Sequence, residues 1–523
     1  MTTLTLTLSP QQAASDAELR RLVGRELSLE PETIHSIQVR RRNIDARQRR
    51  ILVNLTLDVY LEGEAPAVDD FSDLVYPDVS SSPQAVVVGA GPCGLFAALR
   101  LIELGVRPIV ERGQDVMQRR KDLVQLEKTG LVDPESNYSF GEGGAGAFSD
   151  GKLYTRSRKR GSVEKVLRVF CRFGADPKIL VDAHPHIATD KLPIIIRRMR
   201  EQILASGGEV HFGCRMEELL LERGEVRGIV TADGRSFTGP VLLATGHSAR
   251  DVYRYLHGAG VLIEAKPIAV GVRLEHPQQL IDQIRYHSPE GRGAYLPAAE
   301  YVYKAQVGGR GVYSFCMCPG GFVVPASTGP EETVVNGMSP ANRGSRWANS
   351  GMVVELHPED ISETGIAVED PTSPLALMHW CQEFERRSYI AAECSLRAPA
   401  QRMTDFVKGR FSQSLPSSSY SMGLTPSALH EWMPHFVAQR LAEGFRAFDR
   451  STRGFLTEEA QLIGVESRTS SPVRIPRDRE TYCHPVVTGL YPAGEGAGFA
   501  GGIVSAAIDG ENAAQQIALA LGR

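Results

Sequence analysis

The chain predicts an α/β protein built on a dinucleotide-binding core, with a β-meander, an inserted α+β substrate domain and a small N-terminal βαββ module. Three stretches carry this. Residues 85–111, AVVVGAGPCGLFAALRLIELGVRPIVE, read as a strand, a glycine turn, an amphipathic helix and a second strand closing on an acid. Residues 209–246 read as three short strands followed by an apolar strand that stops at Thr245-Gly246. Residues 484–523 return to a strand, a glycine loop and a long alanine-rich helix.

In the first stretch each glycine has its own mechanical reason. Gly89 permits the tight turn out of the strand, Gly91 lets the backbone approach a pyrophosphate, and Gly94 lets the helix pack close to the sheet. Pro92 and Cys93 occupy the first helical turn, where the missing proline N–H costs nothing and the remaining free N–H groups point at the phosphate position. Glu111 closes the second strand about 20 residues on, where a carboxylate accepts both ribose hydroxyls, and Arg112 follows it.

With 523 residues the chain has room for two or three domains. The expected division is an N-terminal module over 1–63, a Pro/Asp/Ser-rich linker over 64–83, the first part of the nucleotide domain over 84–262, the substrate domain over 263–483, and a return to the nucleotide domain over 484–523. Hydrophobic content of 42% and charged content of 23% describe a soluble globular protein. A net charge of −4 gives no global attraction to nucleic acid or to an anionic membrane. There is no signal-peptide pattern, no apolar run near membrane length and no zinc spacing among the eight cysteines, which points to a cytoplasmic protein with free thiols and no metal.

In the N-terminal module, Leu4, Leu6 and Leu8 alternate as a strand, 15–27 reads as a helix, and 33–42 with 48–61 read as paired strands. The connection RRRNIDARQRR allows two readings: a basic hairpin that touches RNA, a phosphate or an acidic partner, or a solvated tip whose arginines pair with acids of the main body. The lack of interleaved aromatic residues favours the second.

Beyond Arg112, QRRKDLVQLEK reads as a helix. The segment NYSFGEGGAGAFSDGKLYTR then crowds Gly141, Gly143, Gly144, Gly146 and Gly151 together. So many glycines cost backbone entropy, and the favoured reading is that a flat ligand or its phosphates lies against the main chain near Gly144 and Ala145, with Ser149 and Asp150 offering polar contacts; the alternative is a surface loop with turns. Helices are expected over 162–173 and 190–206, and meander turns at Arg223-Gly224 and Asp233-Gly234. From about 264 the βα rhythm is lost, with strand-like IAVGVRLE and GMVVEL and helices at 374–391 and 428–449. Near the end, the helix start at Gly502-Ile503 offers free N–H groups and the positive end of a dipole.

The order of fingerprint, Ala244-Thr245-Gly246 strand end and Gly494-Glu495 loop resembles flavoproteins of the glutathione-reductase structural type over roughly residues 84–523. More narrowly, FGEGGAGAFSDGKLYTR, FCMCPGGFVVPAS, NGMS, SRTSSPVRIPRD and YPAGEGAGFAGGI are similar to the FAD-dependent dehydrogenases whose substrate is generally not assigned. The resemblance implies an FAD-binding Rossmann-like domain. Gly89, Gly91 and Gly94 would face the FAD pyrophosphate, Glu111 the adenosine ribose and Met216 the adenine. Gly246 would lie beside the cofactor, the Gly494-Glu495 loop by the ribityl chain or pyrophosphate, and Gly502 and Ile503 by the flavin pyrimidine edge. The larger superfamily usually has Asp where this chain has Glu495, so a water would bridge that contact.

An FAD-dependent oxidoreductase acting on a small-molecule substrate by hydride transfer is the expected activity. The alternatives are a flavin-containing RNA-binding or RNA-modifying protein that uses the arginine hairpin, and a module whose flavin is structural or sensory. A monooxygenase ranks lower, because VLLATGHSARD lacks the Asp-Gly pair typical of aromatic hydroxylases. Gly308-Gly309-Arg310-Gly311 lacks the strand, helix and acid of a second fingerprint, so NAD(P)H enters only as a transient reductant. Substrate-side candidates are Cys316 and Cys318 as a redox pair or as buried thiols, Arg343 as a carboxylate clamp or in a surface salt bridge, and Arg468 and Thr469 at the substrate or in a turn. His184 and His186 have no third metal ligand nearby in sequence.

Overall fold

Three short apolar strands, Leu490–Pro492, Val241–Leu243 and Val86–Val88, run parallel with Val241–Leu243 in the middle. All three are buried throughout, as continuous apolar runs in a covered parallel sheet should be. The computed structural model describes residues 1–64, 69–108, 111–155, 159–187 and 189–523. Part of the fingerprint's second strand, residues 109–110, lies outside the described residues, although the Ala85 amide donates to the Arg107 carbonyl at 2.9 Å on that side. The helices Pro92–Glu103 and Ile503–Ala520 cross in direct backbone contact: a Cβ on Gly510 would lie 2.1 Å from the Cys93 carbonyl oxygen.

The meander is present as Met216–Glu222, Glu225–Thr231 and Ser236–Thr238, all antiparallel. Its first turn has Arg223 and Gly224 both at positive φ, the type I′ geometry that a two-residue hairpin favours. Helices form at Val116–Thr129, Val163–Arg172 and Leu192–Ala205, matching the apolar periodicity.

The segment without βα rhythm builds a seven-stranded sheet. Its order is Lys304–Val307, Arg310–Cys318, Trp347–Leu356, Ile268–Pro277, Gln461–Glu466, Ala398–Arg402 and Leu424–Pro426, antiparallel except for the last pair. The helix Ala376–Ala391 agrees with expectation. The expected helix 428–449 is instead two, Leu429–Trp432 and His435–Ser451. Pro434 lacks an N–H and drives Met433 to extended backbone at ψ 148, which ends the first piece.

Inside this layer His276 is fully buried beside Phe455, and its Nε2–H donates to the Phe455 carbonyl at 2.8 Å. Burial disfavours the charged ring and lowers its pKa from 6.5 to about 4. The unfolded chain therefore takes up this proton first as pH falls. The contribution is intact above pH 6.5 and is lost between 6.5 and about 4, on the order of 3 kcal/mol. Denaturant titrations at pH 7 and pH 4.5 should show this drop, and His276→Gln should flatten it.

The N-terminal module is βαββ, with Thr2–Leu8 and Ile34–Asp45 flanking Leu52–Leu61 and a helix at Asp16–Leu27. The hairpin runs further than its sequence suggests, because Asn43 and Ile44 still pair with Asn54 and Val53. Most of its arginines are exposed, and two of them pair with acids of the module itself. Arg40 pairs with Asp58 at 2.6 Å and Arg47 with Asp45 at 2.6 Å, while the Arg42 backbone exchanges hydrogen bonds with Val181 and Ala183, both 3.0 Å. Ala46 and Ile51 at the tip pack against the core of the seven-stranded sheet. Between module and core, Leu74 and Val79 are buried, and Arg168 holds Asp69 and Asp73 at 2.6 Å each; residues 65–68 lie outside the described residues. Among the described residues no helix is long and apolar enough to cross a membrane.

Candidate functional site

The glycine turn is shaped by backbone on all sides. Gly89 has φ +105, and a Cβ there would sit 2.5 Å from the Ala244 carbonyl oxygen. A Cβ on Gly94 would fall 1.8 Å from the Gly89 carbonyl oxygen and 3.2 Å from Val87, so this glycine brings the helix onto the turn itself as well as the sheet. Gly91 differs: it is extended, and a Cβ there would meet nothing nearer than the Gly144 Cα at 3.8 Å. No side chain caps the helix Pro92–Glu103, which leaves its first-turn amides to an outside acceptor. Cys93 is buried, with its side chain under Gly494, so only its amide is available to such an acceptor.

Glu111 is buried and tied to the turn. One carboxylate oxygen accepts from the Ala90 amide at 2.5 Å and the other from the Gly113 amide at 2.9 Å. Each oxygen keeps a lone pair for a further donor such as a sugar hydroxyl. Next to it Arg112 lies over the Phe140 ring at 4.5 Å and pairs with Asp251 and, at 3.3 Å, with Glu135. Met216 and Phe140 share one buried cluster.

The three parallel strands deliver their loops to the same edge. Gly246 and Gly494 both take φ +74; a Cβ on Gly496 would lie 2.6 Å from the Gly246 carbonyl oxygen, and one on Gly494 would lie 2.9 Å from the Cys93 Cβ. Asp509 accepts from the Gly494 amide at 2.7 Å and is gripped by both Arg477 nitrogens at 2.9 and 2.5 Å. Glu495 approaches His247 Nδ1 at 3.5 Å. The C-terminal helix begins at Ile503 after Gly502 with no side-chain cap, so a second uncapped helix head joins the first.

The glycine-rich loop links those two heads. A Cβ on Gly144 would be 3.1 Å from the Gly91 Cα, and one on Gly146 would be 3.3 Å from both Pro92 and Ile503. Ala145 is exposed, and Ser149 folds back, donating to the Gly146 carbonyl at 2.9 Å and accepting from the Gly151 amide at 3.1 Å. The residue that shapes this loop is Arg119, which sequence reasoning passed over. It is fully buried and donates to the carbonyls of Asn137, Tyr138, Gly141, Glu142 and Gly144 at 2.7–3.2 Å. Burial pushes its pKa down to about 10, so it remains a cation at neutral pH. The signal was present: Val116, Arg119, Leu123 and Leu126 are the buried positions of their helix, which puts an arginine inside an apolar stripe. Glu142, also buried, accepts from the Val116 amide at 2.7 Å and from Arg200 at 3.2 Å; burial raises it to about 7.

The substrate-side candidates divide. Arg343 is in a buried salt bridge, not a surface one, 3.2 Å from Asp150 and 3.8 Å from Glu300, because Asp150 at the far end of the glycine loop is itself buried. Arg468 is neither open to a ligand nor a turn residue. It spans Glu332 at 2.7 Å, Glu385 at 3.2 Å and the Thr328 hydroxyl at 2.7 Å, in a network shared with Arg250. Thr469 donates to the Ala269 carbonyl at 2.7 Å and so fastens its loop to the sheet. Cys316 and Cys318 do not share a regular strand face, since the ladder slips between Phe315 and Cys318 and Cys316 has φ +47. His184 stacks on Tyr154 at 4.9 Å, burial holds His186 below its usual pKa, and the described residues contain no metal-binding cluster.

Residues 267–469 match the family described as FAD-dependent protein, C-terminal domain-like, and residues 1–60 match a domain of unknown function. A protein of Clostridium beijerinckii described as an uncharacterized protein is 38% identical over 519 residues, covering 95% of each chain. The chain belongs to the same family as this protein. Among solved structures, tetracycline destructase Tet(51) aligns at 11% identity and TM-score 0.34 over 84% of this chain and 83% of its own. A geranylgeranyl bacteriochlorophyll reductase-like protein of Thermoplasma acidophilum aligns at 13% and 0.34 over 84% and 79%. Both likenesses are distant.

Proposed function

We propose that this family member is an FAD-dependent oxidoreductase of the glutathione-reductase structural type, acting on a small-molecule substrate, with NAD(P)H as a transient reductant where the substrate is not itself the donor. One observation carries the reading: two uncapped helix heads, at Gly91 and Gly502, are joined by a glycine loop, with a buried acid tied to the first turn. An extended dinucleotide has an anionic centre and a sugar at one end, and this cradle offers amides for the first and a carboxylate for the second. The near-contacts around Gly91 and Gly246 are backbone or open space, so no side chain plugs the approach.

In this reading the amides of Gly91, Cys93 and Gly94 hold the pyrophosphate, and Glu111 orients the adenosine ribose. The Gly494-Glu495 loop lies along the ribityl chain, and the amides at Gly502 and Ile503 face the pyrimidine edge, where their partial positive charge favours an anionic reduced ring. Bound there, FAD supplies hydride and electron chemistry. The glycine loop, held by Arg119, covers the site and excludes water.

Purified protein should be yellow with the two-band flavin spectrum. Gly91→Val should keep the fold, because its Cβ meets nothing closer than 3.8 Å, yet lose the colour, because the side chain occupies the phosphate approach. Full flavin retention in a folded Gly91→Val protein would reject the assignment.

A further inference from the structure

We propose that Lys152 and Arg343 form the seat for a substrate carboxylate at the seam between the glycine-rich loop and the seven-stranded sheet, and that Glu300 fills this seat until a ligand displaces it. The inference rests on the function proposed above and names its substrate class as a small carboxylic acid.

Three separate segments build the seat. The glycine-rich loop supplies Asp150 and Lys152, and a short ladder fixes its end: the Leu153 amide donates to the Pro185 carbonyl and the Ile187 amide to the Gly151 carbonyl, both at 2.9 Å. Lys152 and His186 are paired across that ladder. Arg343 arrives from the other side on left-handed backbone, φ +45, which a non-glycine residue keeps only where its surroundings enforce it. Glu300 lies between Ala299, whose amide is held by Asp282 at 2.8 Å, and the fully buried Tyr301, so its backbone is fixed and its side chain alone is free to turn.

Both cations are short of partners. Among the described residues the Arg343 side chain makes one hydrogen bond, from Nη2 to Asp150 at 3.2 Å, and its Nε is buried with none. Lys152 donates to the Met317 carbonyl and lies 3.7 Å from both Asp150 and Glu300, outside hydrogen-bond range. Asp150 is buried and balances one cation; Glu300, whose side chain is 38% exposed, balances the other.

Glu300 points one oxygen at each cation, Oε2 at Lys152 over 3.7 Å and Oε1 at Arg343 Nη1 over 3.8 Å. A carboxylate spans two donors in this way, but these contacts are about 1 Å too long for charge-assisted bonds. Partly exposed ion pairs at such range stabilise little, whereas a free carboxylate that closes the gap gains both bonds and releases Glu300 to water. Burial raises the Glu300 carboxyl, but Lys152 and Arg343, helped by His184 and His186, outweigh it and hold it below its usual range, so the seat favours an anion. Earlier in the same loop Gly146 lies against Pro92 and Ile503, so Lys152 sits on the segment that links the two helix heads.

Propionate is the probe, with propionamide and chloride at equal ionic strength as controls. On the wild-type holoprotein, propionate should protect Lys152 from acylation by a succinimidyl ester, read by peptide mass spectrometry, and should shift the flavin absorbance; the controls should do neither. Glu300→Gln removes the resident carboxylate at a partly exposed side chain, so it should fold as the wild type does and bind propionate about fivefold more tightly. Equal protection by propionamide would overturn recognition of the carboxylate, and equal or weaker propionate binding by Glu300→Gln would overturn the hold of Glu300 on the seat. Protection with an unchanged flavin spectrum would overturn the link to the reaction site. The labelling needs no flavin, so a colourless protein that still shows protection would count against the proposed function alone.

Discussion

Gly94→Ala should abolish FAD binding and fold stability together. The added carbon would fall 1.8 Å from the Gly89 carbonyl oxygen, which is backbone and cannot rotate away. Relief requires sliding the helix Pro92–Glu103 off the turn, and that helix is nearly all buried against the sheet and the C-terminal helix. Overpacking a flexible core site costs about 1–3 kcal/mol, and a backbone clash this short belongs above that range. The expected result is protein that is colourless and largely insoluble or melts far below the wild type, read by visible absorbance and thermal unfolding. Gly91→Ala is the contrast: it should fold and melt normally and bind FAD more weakly. Equal melting temperatures for Gly94→Ala and the wild type would contradict the close approach.

Arg119→Met should cost on the order of 4 kcal/mol and loosen the glycine loop. Its aliphatic replacement fits the buried channel but takes the guanidinium from five carbonyls; those of Gly141 and Gly144 keep the Gly144 and Ala147 amides, while those of Asn137, Tyr138 and Glu142 lose their donor, each carrying a desolvation penalty of about 1–3 kcal/mol that partial rearrangement and water would reduce. Arg119→Lys should rescue little, because a single ammonium cannot reproduce a planar fork that reaches both sides of the loop. The checks are chemical denaturation for stability and limited proteolysis between residues 137 and 152 for the loop. An unchanged cleavage pattern in Arg119→Met would show that the loop holds its shape without the guanidinium.

How far the sequence foretold these features depends on the range of the interactions. The fingerprint's first strand and helix, the meander and the closing helix are local patterns, and they lie where periodicity and turn chemistry place them; part of the fingerprint's second strand, residues 109–110, lies outside the described residues. The break at Met433-Pro434 is also local, but the apolar spacing on either side of it continues across the single proline. The burial of the Arg343 salt bridge and the ion-pair network of Arg468 are not legible in sequence, because their partners, Glu332, Glu385 and Asp150, are 83 to 193 residues away. A basic residue looks free until the fold supplies its acid. Arg119 was legible as an anomaly of pattern, a cation in an apolar stripe, and was hidden only by the two other basic residues beside it in QRRK. The bulge at Cys316 could not be read at all, since alternation in SFCMC is what a regular strand would also show.

The arginine hairpin has a mechanical consequence. Its rising strand is stitched to residues 181–183 of the nucleotide half, its tip is lodged on the aromatic core of the other half, and so a single small unit straddles both. A molecule strapped in this manner has little freedom to gape like a hinged shell.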